Sequence, residues 1–267
     1  MPDLPLLPGL PVVTVPGGRV EYDDVPGDPA LAPLLFLHEG LGSVGLWRGF
    51  HRRVAAATGR RAVAYSRVGH GFSDLPTGKR TPRFMHEEAA EVVPALCAAL
   101  TLDRPVLVGH SDGASIALLS AAAQEVRGLV VLAPHVFVEE LGLRGIADAR
   151  TAFVDEGLRS RMARHHRDPD VTFWSWNDVW LSDTFSDWDI RAELPSIRCP
   201  VLAVQGTADQ YGSMAHVEAV RDGASGPVEL LVLGCGHSPH LEEPDATADA
   251  VAVFLRRLQS SPSSGSG

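Results

Sequence analysis

The chain has 267 residues, 45% of them hydrophobic, a formal net charge of −10 and a mean hydropathy of +0.04. That length suits one large α/β domain with an insertion rather than two full domains, and the acidic balance argues against nucleic acid or an anionic membrane surface as partner. There is no membrane-length apolar run, the opening Met1-Pro2-Asp3-Leu4-Pro5 lacks the basic and apolar regions of a secretory signal, and Cys97, Cys199 and Cys235 lack C-x-x-C spacing, so a cytoplasmic protein with reduced thiols is expected.

After a proline-rich lead-in, Arg19 to Val25 reads as an early edge strand, and Leu34 to Leu37 as a short strand buried on both faces. Val44 to Thr58 predicts a helix, Arg61 to Tyr65 a strand, and Thr81 to Leu100 a long helix. Pro82 is tolerated near the start of that helix, and Pro94 is a candidate kink. Val106 to Gly109 predicts a strand, Ala114 to Ala123 a helix of small residues, and Leu129 to Leu132 another strand. From His135 to about Ile190 the pattern changes to charge-rich amphipathic helix with an aromatic cluster. Alternation resumes with a strand at Val201 to Gln205, a helix near Met214 to Arg221, a strand at Val228 to Leu233 and a last helix at Asp245 to Leu258.

Alternating apolar strands and helices predict an α/β fold: a mostly parallel, twisted sheet of about eight strands, covered by helices on both faces, with a helical cap inserted between two strands. The expected division is a core of residues 1–134 and 191–258, a cap of 135–190 and a disordered, Ser/Gly-rich tail of 259–267.

The most informative segment is Val106-Leu107-Val108-Gly109-His110-Ser111-Asp112-Gly113, which matches G-x-S-x-G between an apolar strand and a helix. That context is the one a nucleophile elbow requires, with the serine on a strained turn and glycines where a Cβ would collide. The helix N-terminus favours developing negative charge at the same place. A serine hydroxyl needs a base and an acid to orient it. Asp209 follows the strand Val201–Gln205 through a glycine turn, and His237 follows Val228–Leu233 through Gly234 and Gly236, both at the carboxyl edge of the sheet with Ser111. His240 is the rival base, and Glu139 and Glu140 are the rival acids. Oxyanion donors are expected at the amide of Asp112 and in the loop after Leu37, where Gly40 is favoured and Leu41 is the alternative.

These segments resemble the α/β-hydrolase fold family over roughly residues 18 to 258. The resemblance rests on Gly109-His110-Ser111-Asp112-Gly113, on His38-Glu39-Gly40-Leu41-Gly42, on Ser66-Arg67-Val68-Gly69-His70-Gly71-Phe72-Ser73-Asp74, and on the turns carrying Asp209 and His237. It implies Ser111 as nucleophile, Asp209 as acid, His237 as base and no cofactor. Three positions depart from the family pattern. Glu39 replaces a glycine of the oxyanion motif, Ser66 replaces an aspartate, and Asp112 replaces a small residue or methionine. A carboxylate at 112 would oppose an oxyanion, so its side chain is expected to be hydrogen-bonded elsewhere. Serine at 111 argues against the dehalogenase and epoxide hydrolase branches, which use aspartate there.

Six of the seventeen aromatic side chains fall between Phe173 and Trp188, with 173, 176 and 180 on one helical face. With Glu39 and Leu41, His135, Phe137, Trp176 and Trp180 are the expected lining of a substrate pocket. His165-His166 and His237-x-x-His240 lack acidic companions in a ligand pattern, so no metal is expected. The expected activity is hydrolysis of a small hydrophobic carboxylic ester or lactone through an acyl-enzyme. The alternatives are carbon–carbon cleavage of a dienoate ring-cleavage product, anchored by Arg67, Arg144 or Arg150, and a ligand receptor of this fold with little turnover. The expected partner is a small-molecule substrate, with neither nucleic acid nor membrane. A homodimer is compatible with the sequence, which leaves the oligomeric state open.

Overall fold

A computed structural model describes residues 9–260, so most of the lead-in and tail residues 261–267 lie outside the described residues. Eight strands form one sheet: β1 (Val12–Val15), β2 (Gly18–Val25), β3 (Leu34–Leu37), β4 (Ala62–Tyr65), β5 (Val106–His110), β6 (Gly128–Leu132), β7 (Val201–Gly206) and β8 (Val228–Leu233). Their order is β1-β2-β4-β3-β5-β6-β7-β8. The pairings β1–β2 and β2–β4 are antiparallel and the rest parallel. β1 went unread in the sequence because Val12–Val15 is short and wedged between prolines. It takes the edge, and β2 lies inside it.

The central strands are buried at every position, as parallel strands covered on both faces must be. Period-two alternation sends Leu34, Phe36, Val106 and Val108 to one face, against α1 (Phe50–Thr58) and the final helix. Leu35, Leu37 and Leu107 face the other way, towards the helical run from Phe84 to Ala99 and the helix after β5. The predicted helix over 44–58 is two pieces. A 3-10 turn at Val44–Trp47 is broken from α1 by Arg48 and Gly49, both at positive φ. The predicted helix over 81–100 begins later, as α2 (Phe84–Glu87). It widens into a π-turn at Glu88–Val92 and continues as α3 (Val93–Ala99). The wide turn accommodates Pro94, which lacks an N–H and would crowd the carbonyl four residues earlier.

Helix α4 (Asp112–Ala123) follows β5 directly. Between β6 and β7 the chain makes α5 (Glu140–Asp155), α6 (Leu158–Met162) and α7 (Pro169–Trp180), with 3-10 turns at Asp183–Phe185 and Leu194–Ser196. The Asp168 carboxylate caps α7 by accepting the Val171 amide at 3.0 Å. The excursion leaves and rejoins the core side by side: the Ile190 amide donates to Val136 O at 2.8 Å, and the Val138 amide to Trp188 O at 3.1 Å. Phe153 stacks on Phe173 at 3.9 Å between centroids, and Asn177 Nδ2 donates to Ile146 O at 2.9 Å, tying α5 to α7. The chain ends with α8 (Ala215–Gly223), α9 (Pro239–Glu242) and α10 (Pro244–Ser260). Helix α10 therefore includes the first two residues assigned by sequence to the tail. Among the described residues no helix is long and apolar enough to cross a membrane.

Parallel register aligns the carboxyl ends of the strands. Leu37 lies opposite Gly109, Gly109 opposite Val131, Leu132 opposite Val204 and Gly206 opposite Leu233. Two glycines let the next elements start at that rim. A Cβ on Gly113 would lie 2.0 Å from Leu37 O, and one on Gly206 would lie 2.1 Å from Gly236 O. Gly113→Ala is expected to destabilise the protein by about 3 kcal/mol, at the upper end of overpacking effects, because the obstacle is backbone rather than a flexible side chain. Urea denaturation of the variant checks this; an unchanged midpoint would refute it.

Candidate active site

Ser111 occupies the turn between β5 and α4 with φ 53° and ψ −119°, a conformation that non-glycine residues avoid. Its amide donates to Leu132 O at 2.9 Å, and its carbonyl accepts the amides of Ala114 and Ser115 at 2.8 and 3.1 Å. These bonds hold the strained residue. A Cβ on Gly109 would lie 2.3 Å from Gly113 O, so the turn closes only on glycine.

Ser111 Oγ is 2.9 Å from His237 Nε2, and His237 Nδ1 is 2.9 and 2.8 Å from the two oxygens of Asp209. The ring donates from Nδ1 to the carboxylate, which leaves Nε2 to accept the serine proton. Asp209 also accepts the Tyr211 amide at 2.8 Å, the Gly212 amide at 3.2 Å and Gln205 Nε2 at 2.8 Å. Burial alone would raise the Asp209 pKa. The hydrogen bond and charge of His237, with the Tyr211 and Gln205 donors, outweigh burial and hold it at about 2. Burial lowers the His237 pKa against the opposing effect of the hydrogen bond it donates to Asp209, so the imidazole is neutral at neutral pH.

The rivals are engaged elsewhere. Glu139 accepts the Ser213 amide at 2.7 Å, Ser213 Oγ at 3.0 Å and His216 Nε2 at 2.9 Å. Glu140 pairs with Arg144 at the surface. His240 is buried against Trp47 and His110, at 4.9 and 4.7 Å between centroids. His166 spends both ring nitrogens on the backbone, accepting from the Gly71 amide and donating to Leu41 O. Burial, then the Glu242, Glu243 and Asp209 carboxylates, push the Cys235 thiol up to about 11, so it is no nucleophile near neutral pH.

A cavity of about 180 Å³ opens over Ser111. The pocket candidates Glu39, Leu41, His135, Trp176 and Trp180 line it together with the oxyanion candidates Gly40 and Asp112, and His110, Ile146, Tyr211 and Ser238 line it as well. No sequence signal singles out those four. His110 is the variable position of G-x-S-x-G, Tyr211 and Ser238 flank the acid and the base, and Ile146 is an ordinary apolar residue of α5. Phe137 is not part of the lining. It lies where the excursion leaves the core, with His216 at 4.4 Å between ring centroids and the Arg191 guanidinium 4.9 Å above it. The amides of Gly40, Leu41 and Asp112 make no hydrogen bond among the described residues, leaving donors at the rim beside Ser111. Gly40 has no room for a side chain: a Cβ there would lie 2.1 Å from Trp176 Nε1.

The three unusual positions behave differently. Ser66 Oγ donates to Glu21 Oε1 at 2.7 Å and accepts the Val44 amide at 2.9 Å, a local exchange of hydrogen bonds. Glu39 Oε2 lies 3.5 Å from His110 Nδ1, while His110 Nε2 donates to His237 O at 2.8 Å. Burial works against the Glu39 charge, but His110, His38 and His240 outweigh it and keep the carboxyl ionised. Asp112 is 1% exposed, and its Oδ2 makes no regular hydrogen bond, contrary to expectation. Burial raises its pKa to about 6, against the more distant charges of Arg67 and Arg80 and the Trp180 indole N–H.

A model of the alpha/beta hydrolase family matches residues 34–250. Serine hydrolase BPHL of Mus musculus is 26% identical over 212 residues, covering 73% of this chain and 69% of that protein. Polyketide synthase ThaQ of Burkholderia thailandensis is 37% identical over 73 residues, 27% of this chain; the match spans only 4% of that protein's length. The crystal structure of the enol-lactonase from Burkholderia xenovorans LB400 superposes with a TM-score of 0.69 at 21% identity, covering 92% of this chain and all of that one.

The Asp112 pKa carries a stability prediction. A carboxyl raised in the folded state favours the protonated form, so its contribution to stability falls as pH rises from 3.8 through about 6. Asp112→Asn is therefore expected to gain stability relative to the parent, by on the order of 2 kcal/mol more at about pH 8 than at about pH 4. Chemical denaturation at the two pH values reads the difference; equal effects at both would contradict it.

Proposed function

Because the chain belongs to the alpha/beta hydrolase family, we propose that it is a serine hydrolase that cleaves a small carboxylic ester or lactone through an acyl-enzyme on Ser111. The observation that carries this reading is the 2.9 Å contact between Ser111 Oγ and His237 Nε2, with Asp209 on the far side of the ring. In the proposed first half-reaction, Ser111 Oγ attacks the carbonyl carbon as His237 Nε2 takes its proton. The Asp112 amide and the Gly40 amide, with Leu41 as the alternative, donate to the oxyanion at the N-terminus of α4. Collapse of the intermediate breaks the bond to the leaving oxygen, which takes the proton from His237. Water then gives a proton to His237 and attacks the acyl carbon. Ser111 Oγ leaves, recovers that proton, and the free acid departs. The scheme needs no cofactor.

Residues 135–190 serve in this reading as a cap that supplies Trp176, Trp180 and Ile146 as apolar walls. Among the described residues no Lys or Arg lines the cavity, which favours this reading over the dienoate alternative. Arg67 donates to His38 O and Glu39 O, Arg144 pairs with Glu140, and Arg150 lies over Trp174. The three free cysteines fit a reducing, cytoplasmic setting.

A fluorophosphonate probe is expected to label Ser111 rapidly, and His237→Ala to abolish labelling. Slow labelling without ester turnover would instead favour a ligand receptor. Ser111→Ala is expected to lower kcat by about 10⁶-fold, the scale of triad knockouts, with an unchanged circular dichroism spectrum. Since the base must be neutral and burial lowers its pKa, the acid limb of kcat/KM should have its midpoint below 6.5. A midpoint above that value would count against His237 as the base.

A further inference from the structure

We propose that Glu39 selects the leaving group, and that the alcohol it favours carries a cation close to the ester oxygen. This rests on the hydrolase reading above and names the leaving half of the substrate for the same cavity.

The cavity has two chemically different walls. Leu41, Ile146, Trp176 and Trp180 are apolar or aromatic, whereas Glu39, His110 and Ser238 join the base His237 in a polar wall. His110 links that wall together. Its Nε2 donates to His237 O at 2.8 Å, its ring lies 5.0 Å from the His237 ring, and its Nδ1 lies 3.5 Å from Glu39 Oε2. The proton balance of the first half-reaction decides which half of the ester meets which wall. The carbon–oxygen bond to the alcohol breaks as that oxygen takes from His237 Nε2 the proton that Ser111 gave up. The alcohol therefore departs along the His237 wall, and the apolar wall is left to the acyl group. Tyr211 lines the cavity with its ring 4.8 Å from that of His237, which places an aromatic face on the alcohol side.

On the polar wall, Glu39 is the group with a charge to offer. It stays ionised although burial opposes the charge. Its carboxyl folds back over its own loop, where a Cβ on Gly42 would lie 2.5 Å from Oε2, so the seat exists only because position 42 is glycine. The contact to His110 is longer than a normal hydrogen bond, and among the described residues no closer donor reaches either oxygen. The Arg67 guanidinium reaches the same loop but donates to His38 O and Glu39 O at 2.6 and 2.9 Å, not to the carboxylate. The Glu39 side chain keeps 26% of its surface exposed, which leaves it open to a ligand. A carboxylate held ionised at a cavity wall without a close partner is the complement of a cation. Charge development points the same way. Glu39 precedes Gly40, whose amide is a proposed oxyanion donor, so the bare carboxylate opposes the oxyanion and a cation held by Glu39 offsets that opposition. An alcohol bearing an anion would be repelled at the same place.

The test holds the acyl group constant. Choline butyrate and 3,3-dimethylbutyl butyrate have leaving groups of the same shape, one with a quaternary nitrogen and one with carbon in its place. Both give the same butyryl-enzyme, so any difference in kcat/KM belongs to the step that expels the alcohol. Each kcat/KM, read by titrating the acid released, is divided by that ester's rate of alkaline hydrolysis to remove intrinsic reactivity. The parent is expected to prefer the choline ester by on the order of 10-fold, between the solvent and interior values of one charge pair. Glu39→Gln should bring the ratio close to one, and added salt should lower it in the parent but not in the variant. A general loss of activity in the variant cancels in the ratio, and the parent comparison needs no variant to fold. A corrected ratio near one in the parent, or an equal ratio in both proteins, overturns the leaving-group reading while the hydrolase reading stands. Labelling of Ser111 without turnover of choline butyrate does the same. Absence of turnover of both esters together with absence of Ser111 labelling overturns both readings.

Discussion

Everything at the site depends on the register of parallel strands. Ser111, Asp209 and His237 are separated by long stretches of chain, yet each follows the carboxyl end of a strand, and hydrogen-bonded pairing through β5, β6, β7 and β8 fixes those ends at one rim. A shift of one residue in any pairing would turn side chains to the opposite face and carry the following loops away. Gly113 and Gly206 then permit backbone-to-backbone approaches that a Cβ would forbid. The 2.9 Å serine–histidine contact is thus the local outcome of a constraint spread across half the sheet.

The electrostatics around that contact are graded. Asp209 is stabilised as an anion by several donors, Glu39 by a group of histidines, and Asp112 by little that is near. Three carboxyls in and beside the cavity therefore sit in different surroundings. Asp209 orients His237, and Glu39 braces His110, whose other nitrogen holds the carbonyl of His237. Of the three, Asp112 alone keeps a fully buried oxygen without a regular hydrogen-bond partner. Supporting hydrogen bonds of this kind fix ring orientation before any ligand arrives.

Much of this was legible in the sequence. The G-x-S-x-G segment between an apolar strand and a small-residue helix has few physical realisations, and Asp209 and His237 stand out because each follows a buried strand through a glycine turn. The fully apolar cores of β3, β5, β6 and β7 made the parallel sheet readable for the same reason. What was hidden is what periodicity does not encode. β1 is too short to show alternation, the break at Arg48–Gly49 depends on backbone angles, and the π-turn before Pro94 answers a steric problem that the letters only hint at. Phe137 was misplaced because aromatic character says nothing of direction; its ring turns to His216 and Arg191 at the foot of the excursion. Ile146 and Tyr211 reach the cavity only because α5 and the turn after Asp209 happen to converge there.

The seat of Trp176 on Gly40 has a consequence for how such a protein changes over generations. The indole occupies the volume a Cβ would fill, so a residue that lines the cavity also leans on the loop that carries the proposed oxyanion donor. In the proposed reading, pocket size and turnover are mechanically linked at that point, because resizing position 176 would shift the loop of Gly40 in the same stroke. Divergence towards new substrates has an easier route through Ile146 on α5, which reaches the cavity without forming that seat.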